Sequence, residues 1–360
     1  MIGGSIQEMI TDVSIDNFKV LKKAEINGLK RLSLLSGRNN VGKSTLLEAI
    51  FLYLDHSDIN SFSKLAAFRG SIPSGADGLW KTLFYQMNLE NSIRISITDD
   101  NITGILEYRK DSNYLPTNLS GIAEDVLARF RANNKDSFSL ACTYTENDYT
   151  EDVHFSLDPN NILRDIKTSL PGNEIRKLRA ALFQNSIFVR DYNSIINGLG
   201  SIELTGEKDI LVTAIKEMDS SIEDILTLSV NGLVQVYIRI NGKLIPIQYA
   251  GDGLVKLTSL CLAIMQLKNG ILIIDELETG LHYSMYGKLW KLIDHISNAS
   301  NCQVIATTHS YEMISAVIDN IENDNDFCYY RIGKKDDNTV SYRYDYSMID
   351  SALEFEMELR

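Results

Sequence analysis

Gly37-Arg38-Asn39-Asn40-Val41-Gly42-Lys43-Ser44 spaces two glycines, a lysine and a hydroxyl as Gly, four residues, Gly-Lys-Ser, the pattern of a phosphate-binding P-loop. Glycines let backbone N–H groups turn inward around phosphates, and the N-terminus of a following helix adds partial positive charge. Lys43 is expected to reach the β- and γ-phosphates of ATP, and the Ser44 hydroxyl to ligate Mg²⁺, with Thr45 as the last residue of the binding stretch. The chemistry requires a strand before the loop and a helix after it. Arg31-Leu32-Ser33-Leu34-Leu35-Ser36 is short and mostly apolar, and Ser44 to Leu52 is spaced as an amphipathic helix.

A second set of reactive side chains lies far along the chain. Gly270-Ile271-Leu272-Ile273-Ile274-Asp275-Glu276 is a continuous apolar run ending in two carboxylates, which reads as a strand buried on both faces. At such a strand end Asp275 can hold Mg²⁺ while Glu276 orients or deprotonates the attacking water. Cys302-Gln303-Val304-Ile305-Ala306-Thr307-Thr308-His309-Ser310 is another apolar strand with a polar tip. His309 there can donate to the γ-phosphate, because ligands of such sheets bind beyond the C-terminal strand ends.

The chain that must position these groups has 360 residues, enough for one large or two modest domains. With 44% hydrophobic and 23% charged residues it has an ordinary globular composition. No apolar run approaches the about 20 residues of a membrane span, and residues 1–8 show no signal-peptide pattern, so a cytoplasmic protein without a membrane partner is expected. A net charge of −13 argues against a diffuse electrostatic grip on DNA, although a local basic groove is compatible with it. Cys142, Cys261, Cys302 and Cys328 are far apart and read as reduced buried thiols. The five histidines show no paired ligand spacing. Asp324-Asn325-Asp326 reads as a solvated loop rather than an acidic metal pair.

In chain order, Thr11 to Val20 alternates as an edge strand, with Ala24-Glu25-Ile26 as its antiparallel neighbour. Between Trp80 and Leu157 short alternating strands dominate, with a helix expected at Gly121 to Arg131. One strand, Ser186-Ile187-Phe188-Val189, is expected between Pro159 and Glu203. Lys208 to Thr227 has helical spacing, and Asn241-Gly242 between alternating runs predicts a hairpin. The C-terminus reads as strand, turn, strand, then a helix from Ser347 to Leu359.

These motifs together resemble the ATP-binding-cassette (ABC) class of ATPases, within it the heads of chromosome-maintenance and RecF-type proteins, whose usual opening strand Asn17-Phe18-Lys19 fits. Asp275-Glu276-Leu277-Glu278-Thr279-Gly280-Leu281-His282 and Thr307-Thr308-His309-Ser310 are still more similar to the head of the overcoming-lysogenization-defect (OLD) family and its stand-alone relatives. The resemblance covers roughly residues 11 to 60 and 245 to 320. It implies an α/β fold with an antiparallel N-terminal β lobe, a central parallel sheet flanked by helices, and a helical subdomain. The expected division is 1–60 for strand lobe and P-loop, 61–240 for an inserted mixed lobe, 241–320 for the remaining motifs and 321–360 for a hairpin and helix, all in one domain.

The resemblance further implies that two or more copies sandwich ATP, a signature loop of one copy completing the site of the other. The candidate loop is Tyr249-Ala250-Gly251-Asp252-Gly253-Leu254-Val255-Lys256, from which Gly251, Asp252, Gly253 and Lys256 would act across the interface. Family members often carry Ser where Ala250 stands. Gln86 and Gln184 are both candidates for the glutamine loop. No long coiled coil fits residues 60–240, and the about 50 residues after His309 are too few for a Toprim domain. The implied role is a slow ATPase in anti-phage defence that controls a separately encoded effector, such as a Toprim-like nuclease. The alternative is a DNA-repair head that clamps DNA.

Overall fold

The computed structural model describes residues 9–58, 60–70, 80–111, 139–157, 163–169, 178–185, 191–318 and 320–354. In chain order the strands are β1 (Ile10–Phe18), β2 (Leu21–Asn27), β3 (Leu32–Ser36), β4 (Ile93–Asp99), β5 (Ile102–Asp111), β6 (Ser139–Glu146), β7 (Tyr149–Leu157), β8 (Leu163–Ser169), β9 (Ala181–Gln184), β10 (Ile222–Val230), β11 (Leu233–Ile240), β12 (Lys243–Pro246), β13 (Ile271–Ile274), β14 (Gln303–Thr307), β15 (Phe327–Lys335) and β16 (Asn338–Asp345). The α-helices are α1 (Lys43–Leu54), α2 (Asn60–Phe68), α3 (Tyr192–Thr205), α4 (Lys208–Met218), α5 (Asp252–Gln266), α6 (Tyr286–Ser300), α7 (Tyr311–Ser315) and α8 (Tyr346–Glu354).

Thirteen strands form one sheet in the order β8-β7-β6-β5-β4-β1-β2-β16-β15-β3-β14-β13-β9. From β8 to β2 every pairing is antiparallel, whereas β15, β3, β14, β13 and β9 run parallel to one another. The period-2 alternation of strands explains how this sheet supports two cores. On one face lie Leu32, Leu34, Leu272, Ile274, Val304, Ala306, Phe327 and Tyr329. On the other lie Leu35, Ile271, Ile273, Ile305, Cys328, Tyr330 and Ile332. Because both faces are covered, these strands read as mostly apolar runs. Helices α3 to α7 cover the first face, and α1 and α2 cover the second.

The mixed α/β architecture agrees with the expectation, but several elements differ. The helix expected over Lys208–Thr227 stops at Met218, and Ile222, Ile225 and Leu226 belong to β10. Their spacing of three and four suits a helix, yet the Asn231-Gly232 turn pairs β10 with β11 along its length, and the resulting three-stranded sheet buries Ile222, Ile225, Val236 and Ile238. The strand expected at 186–189 and the helix expected at 121–131 lie outside the described residues; between Pro159 and Glu203, where one strand was expected, the described residues hold two, β8 beside β7 and β9 beside β13. Asp326 is not solvated alone: its Oδ2 accepts from buried Arg31 Nη2 at 3.0 Å, and Arg31 also reaches Asp294 Oδ1 at 2.6 Å. Among the described residues no group of His, Cys, Asp and Glu could hold a metal ion by itself, and no helix is long and apolar enough to cross a membrane.

Candidate functional site

Strand β14 lies between β3 and β13, with Thr307 in register with Leu35 and Ala306 with Ile274. This order brings three separate sequence segments to one end of the sheet: the P-loop after β3, Asp275-Glu276 after β13 and His309 after β14. The loop from Gly37 to Gly42 is shaped by backbone that side chains rarely tolerate. Gly37 has φ 142°, and a Cβ there would stand 2.1 Å from the Ile332 carbonyl oxygen. Gly42, the cap of α1, has φ 104°, and a Cβ in its place would come within 2.4 Å of Leu21 Cδ2. Between them Arg38, Asn39 and Asn40 are exposed and Val41 is buried. The first turn of α1 holds no acidic residue, so its N-terminal partial charge is left for an anion.

Lys43 Nζ donates to the carbonyls of Gly37 at 2.7 Å and Arg38 at 3.0 Å, folded back over its own loop. Burial pulls its ammonium down to about 8, opposed by the carboxylates of Asp275, Glu276 and Glu278. Ser44 Oγ donates to Asp275 Oδ1 at 3.0 Å. The hydroxyl and carboxylate expected to hold Mg²⁺ are therefore together, and both are oxygen donors of the kind a hard cation takes. Thr45 is buried one turn into the helix, with Arg69 Nη2 at 3.4 Å from its hydroxyl.

Thr307 links the two strand ends. Its Oγ1 donates to Asp275 Oδ1 at 2.6 Å and accepts from Glu276 N at 2.8 Å. Glu276 has φ 54°, a left-handed conformation uncommon for a side-chain-bearing residue. His309 Nε2 stands 3.8 Å from Glu276 Oε1, and both side chains are more than a third exposed at the mouth of the site. Glu278 Oε1 accepts from His309 N at 2.6 Å. The sequence pointed to neither Thr307 nor Glu278 as a site residue. For Thr307 the only signal was its place at the tip of an apolar strand.

Gly251, Asp252 and Gly253 open α5, with Gly251 at φ 89°. The two glycines border a groove of about 560 Å³ also lined by Ser220, Leu257, Met285 and Lys288 and by no residue of the P-loop. Lys256 differs from the expectation. It is 8% exposed, and its Nζ donates to Leu277 O at 2.8 Å and to Thr279 O. Its reach is spent inside its own subunit, on the turn after Glu276, rather than held out as a free cation. Gln184 ends β9, in register with Ile274, and its carbonyl accepts from Asp275 N at 2.8 Å. It lines a cavity of about 370 Å³ together with Asp275 and Lys256. Gln86 stands exposed on a turn at φ 50°, so the structure favours Gln184 of the two glutamines.

Residues 32–315 match the family model described as "AAA domain, putative AbiEii toxin, Type IV TA system". A Helicobacter pylori protein named ATP/GTP phosphatase is 26% identical over 342 residues, covering 89% of this chain and 90% of that one. Among solved structures, an Smc head bound to the C-terminal winged-helix domain of ScpA superposes with a TM-score of 0.51 at 12% identity, covering 96% of this chain and 99% of the other. A Pyrococcus furiosus-derived Smc head with an extended coiled coil, bound to the C-terminal domain of ScpA, gives 0.50 at 11% identity, with 97% and 99% covered. At these identities the Smc heads speak for the fold alone. The family match spans both halves of the site and most of the chain: the protein belongs to this AAA-domain family and is a P-loop ATPase.

Proposed function

We propose that this ATPase is a Mg²⁺-dependent switch that closes around ATP between two or more copies of itself and controls a separately encoded effector, a nuclease, in bacterial anti-phage defence. The observation that carries the catalytic part is the 3.0 Å contact of Ser44 Oγ with Asp275 Oδ1, with Glu276 adjoining. In the reaction Lys43 leaves the Gly37 and Arg38 carbonyls for the β- and γ-phosphates, while the backbone N–H groups from Arg38 to Ser44 cradle them. Ser44 and Asp275 hold the ion. A magnesium ion held by them would supply neutralisation of phosphate charge. Glu276 orients the attacking water and accepts its proton, and His309 donates to the γ-phosphate.

Gly251, Asp252 and Gly253 supply backbone contacts to the γ-phosphate bound by another copy; Lys256 is withdrawn from that role. Support for assembly comes from the groove that Gly251 and Gly253 border, whose lining holds no residue of its own P-loop. Support for a defence role comes from the toxin–antitoxin wording of the family description and from the likeness of Asp275–His282 to the OLD heads. The test is an affinity pull-down of Glu276→Gln protein expressed with its genomic neighbours, in ATP and Mg²⁺. A stoichiometric nuclease-like protein, absent with Lys43→Ala, is the expected result. Recovery of DNA alone, lost at raised salt, would replace the effector switch with a DNA clamp.

A further inference from the structure

Glu276 occupies its left-handed φ of 54° without being glycine, and such a residue persists only where its surroundings over-determine it. Two groups of contacts do so. Thr307 fixes the amide on one side, as described above. On the other side is the turn Leu277–Gly280: Thr279 N donates to Glu276 O at 3.1 Å, and Thr279 Oγ1 donates to Glu276 Oε2 at 3.2 Å. That turn is itself held by Lys256 of α5, whose ammonium binds the carbonyls of Leu277 and Thr279. The bracketed residue between those carbonyls is Glu278, which accepts the His309 amide at 2.6 Å.

The chemistry of this arrangement is costly for a mere strut. Two carbonyls replace only part of the hydration that a buried ammonium gives up. Glu278 is in a similar position, since its Oε2 is buried without a hydrogen-bond partner. Both groups nevertheless converge on the two side chains at the mouth of the site.

We propose that Lys256 and Glu278 are positioning residues for ATP hydrolysis: Lys256 sets the Leu277–Thr279 turn that aims the Glu276 carboxylate, and Glu278 ties that turn to the backbone of His309. Glu276 and His309 then move as one unit. The inference rests on the roles given above to Glu276 and His309. Its test compares steady-state ATP turnover, affinity for a fluorescent ATP analogue and thermal midpoint in Lys256→Met, Glu278→Ala, Glu278→Gln, the Lys256→Met/Glu278→Ala double variant and Glu276→Gln.

Each of Lys256→Met and Glu278→Ala is expected to lower kcat by about 30- to 100-fold, the cost of a misplaced catalytic group, with nucleotide affinity and thermal midpoint near wild type. Glu278→Gln keeps the oxygen that accepts the His309 amide and is expected to recover at least about a third of wild-type kcat. The double variant is expected to lose no more than the worse single, as groups acting in one unit do. Single variants within about threefold of wild type, or losses that multiply in the double variant, overturn the proposal while Glu276→Gln remains inactive. So does a fall in affinity and thermal midpoint parallel to kcat. If Glu276→Gln itself turns over as wild type, the reading of Glu276 fails and the positioning role fails with it.

Discussion

Lys43 shows how far a residue's identity carries and where its surroundings take over. Its motif assigns it to phosphate, but the free protein keeps its amino group on two carbonyls, and burial pulls it down to about 8. Because kcat/KM reports groups of the free enzyme, ATP turnover at low substrate should fall about tenfold from pH 7 to pH 9 as that ammonium loses its proton. Lys256 is also pulled down to about 8 by burial, so the variant decides between them: in Lys43→Arg, whose charge persists, the fall should flatten whatever its absolute rate. Stability runs the other way. Both lysines titrate below their unfolded value of 10.5, so the folded chain binds fewer protons than the unfolded one between about pH 8 and 10.5. Their contribution to stability therefore improves as pH rises through that window. The same contrast governs legibility. That Lys43, Ser44, Asp275, Glu276 and His309 meet at one end of the sheet could be anticipated from the sequence, because phosphate chemistry restricts residue type and spacing in such motifs. Lys256 was misplaced because its helix register was readable but its inward direction depends on carbonyls 21 and 23 residues away.

Among elements, the strands buried on both faces were legible, and so were the half-exposed strands β1, β2, β4 to β7, β11 and β12 that alternate or flank an Asn-Gly turn; a very short strand and one with helical spacing were not. Strands β3, β13 and β14 are mostly apolar runs because each side of the sheet carries a core. Strand β9 has only four residues, one of them the 42% exposed Leu182, too short for periodicity to mark. In β10 the apolar spacing matched a helix, and only pairing with β11 decided otherwise. Element geometry also makes Gly37 irreplaceable, since β15 pairs directly with β3 and puts the Ile332 carbonyl where a Cβ would go. Backbone, unlike a side chain, cannot rotate away. Gly37→Ala should destabilise the protein by about 1–3 kcal/mol, the range for overpacking, read as a lowered urea midpoint. It should also weaken ATP binding, because the displaced turn carries the phosphate-facing amides.

At the scale of the molecule, the groove bordered by Gly251 and Gly253 holds no residue of its own P-loop, and in the proposed sandwich the nucleotide of another copy meets it. Glu276→Gln protein should double its mass in solution when ATP and Mg²⁺ are added, as read by light scattering, and return to its starting mass with Lys43→Ala in the same chain. A mass unchanged by ATP would remove the sandwich. The proposed assembly has its sequence basis only in family likeness, because no single-chain periodicity encodes a contact between copies. The position of the site within the sheet has its own consequence. Strand β3 has ordered neighbours on both sides, but among the described residues β13 has only the short β9 between it and the sheet's end. The Asp275 amide is bonded to Gln184 at that border. In the proposed mechanism the phosphate-binding loop thus follows a strand in the interior of the sheet, while Glu276 follows one that is a single short strand from the sheet's end, so warming should impair hydrolysis before it impairs nucleotide binding.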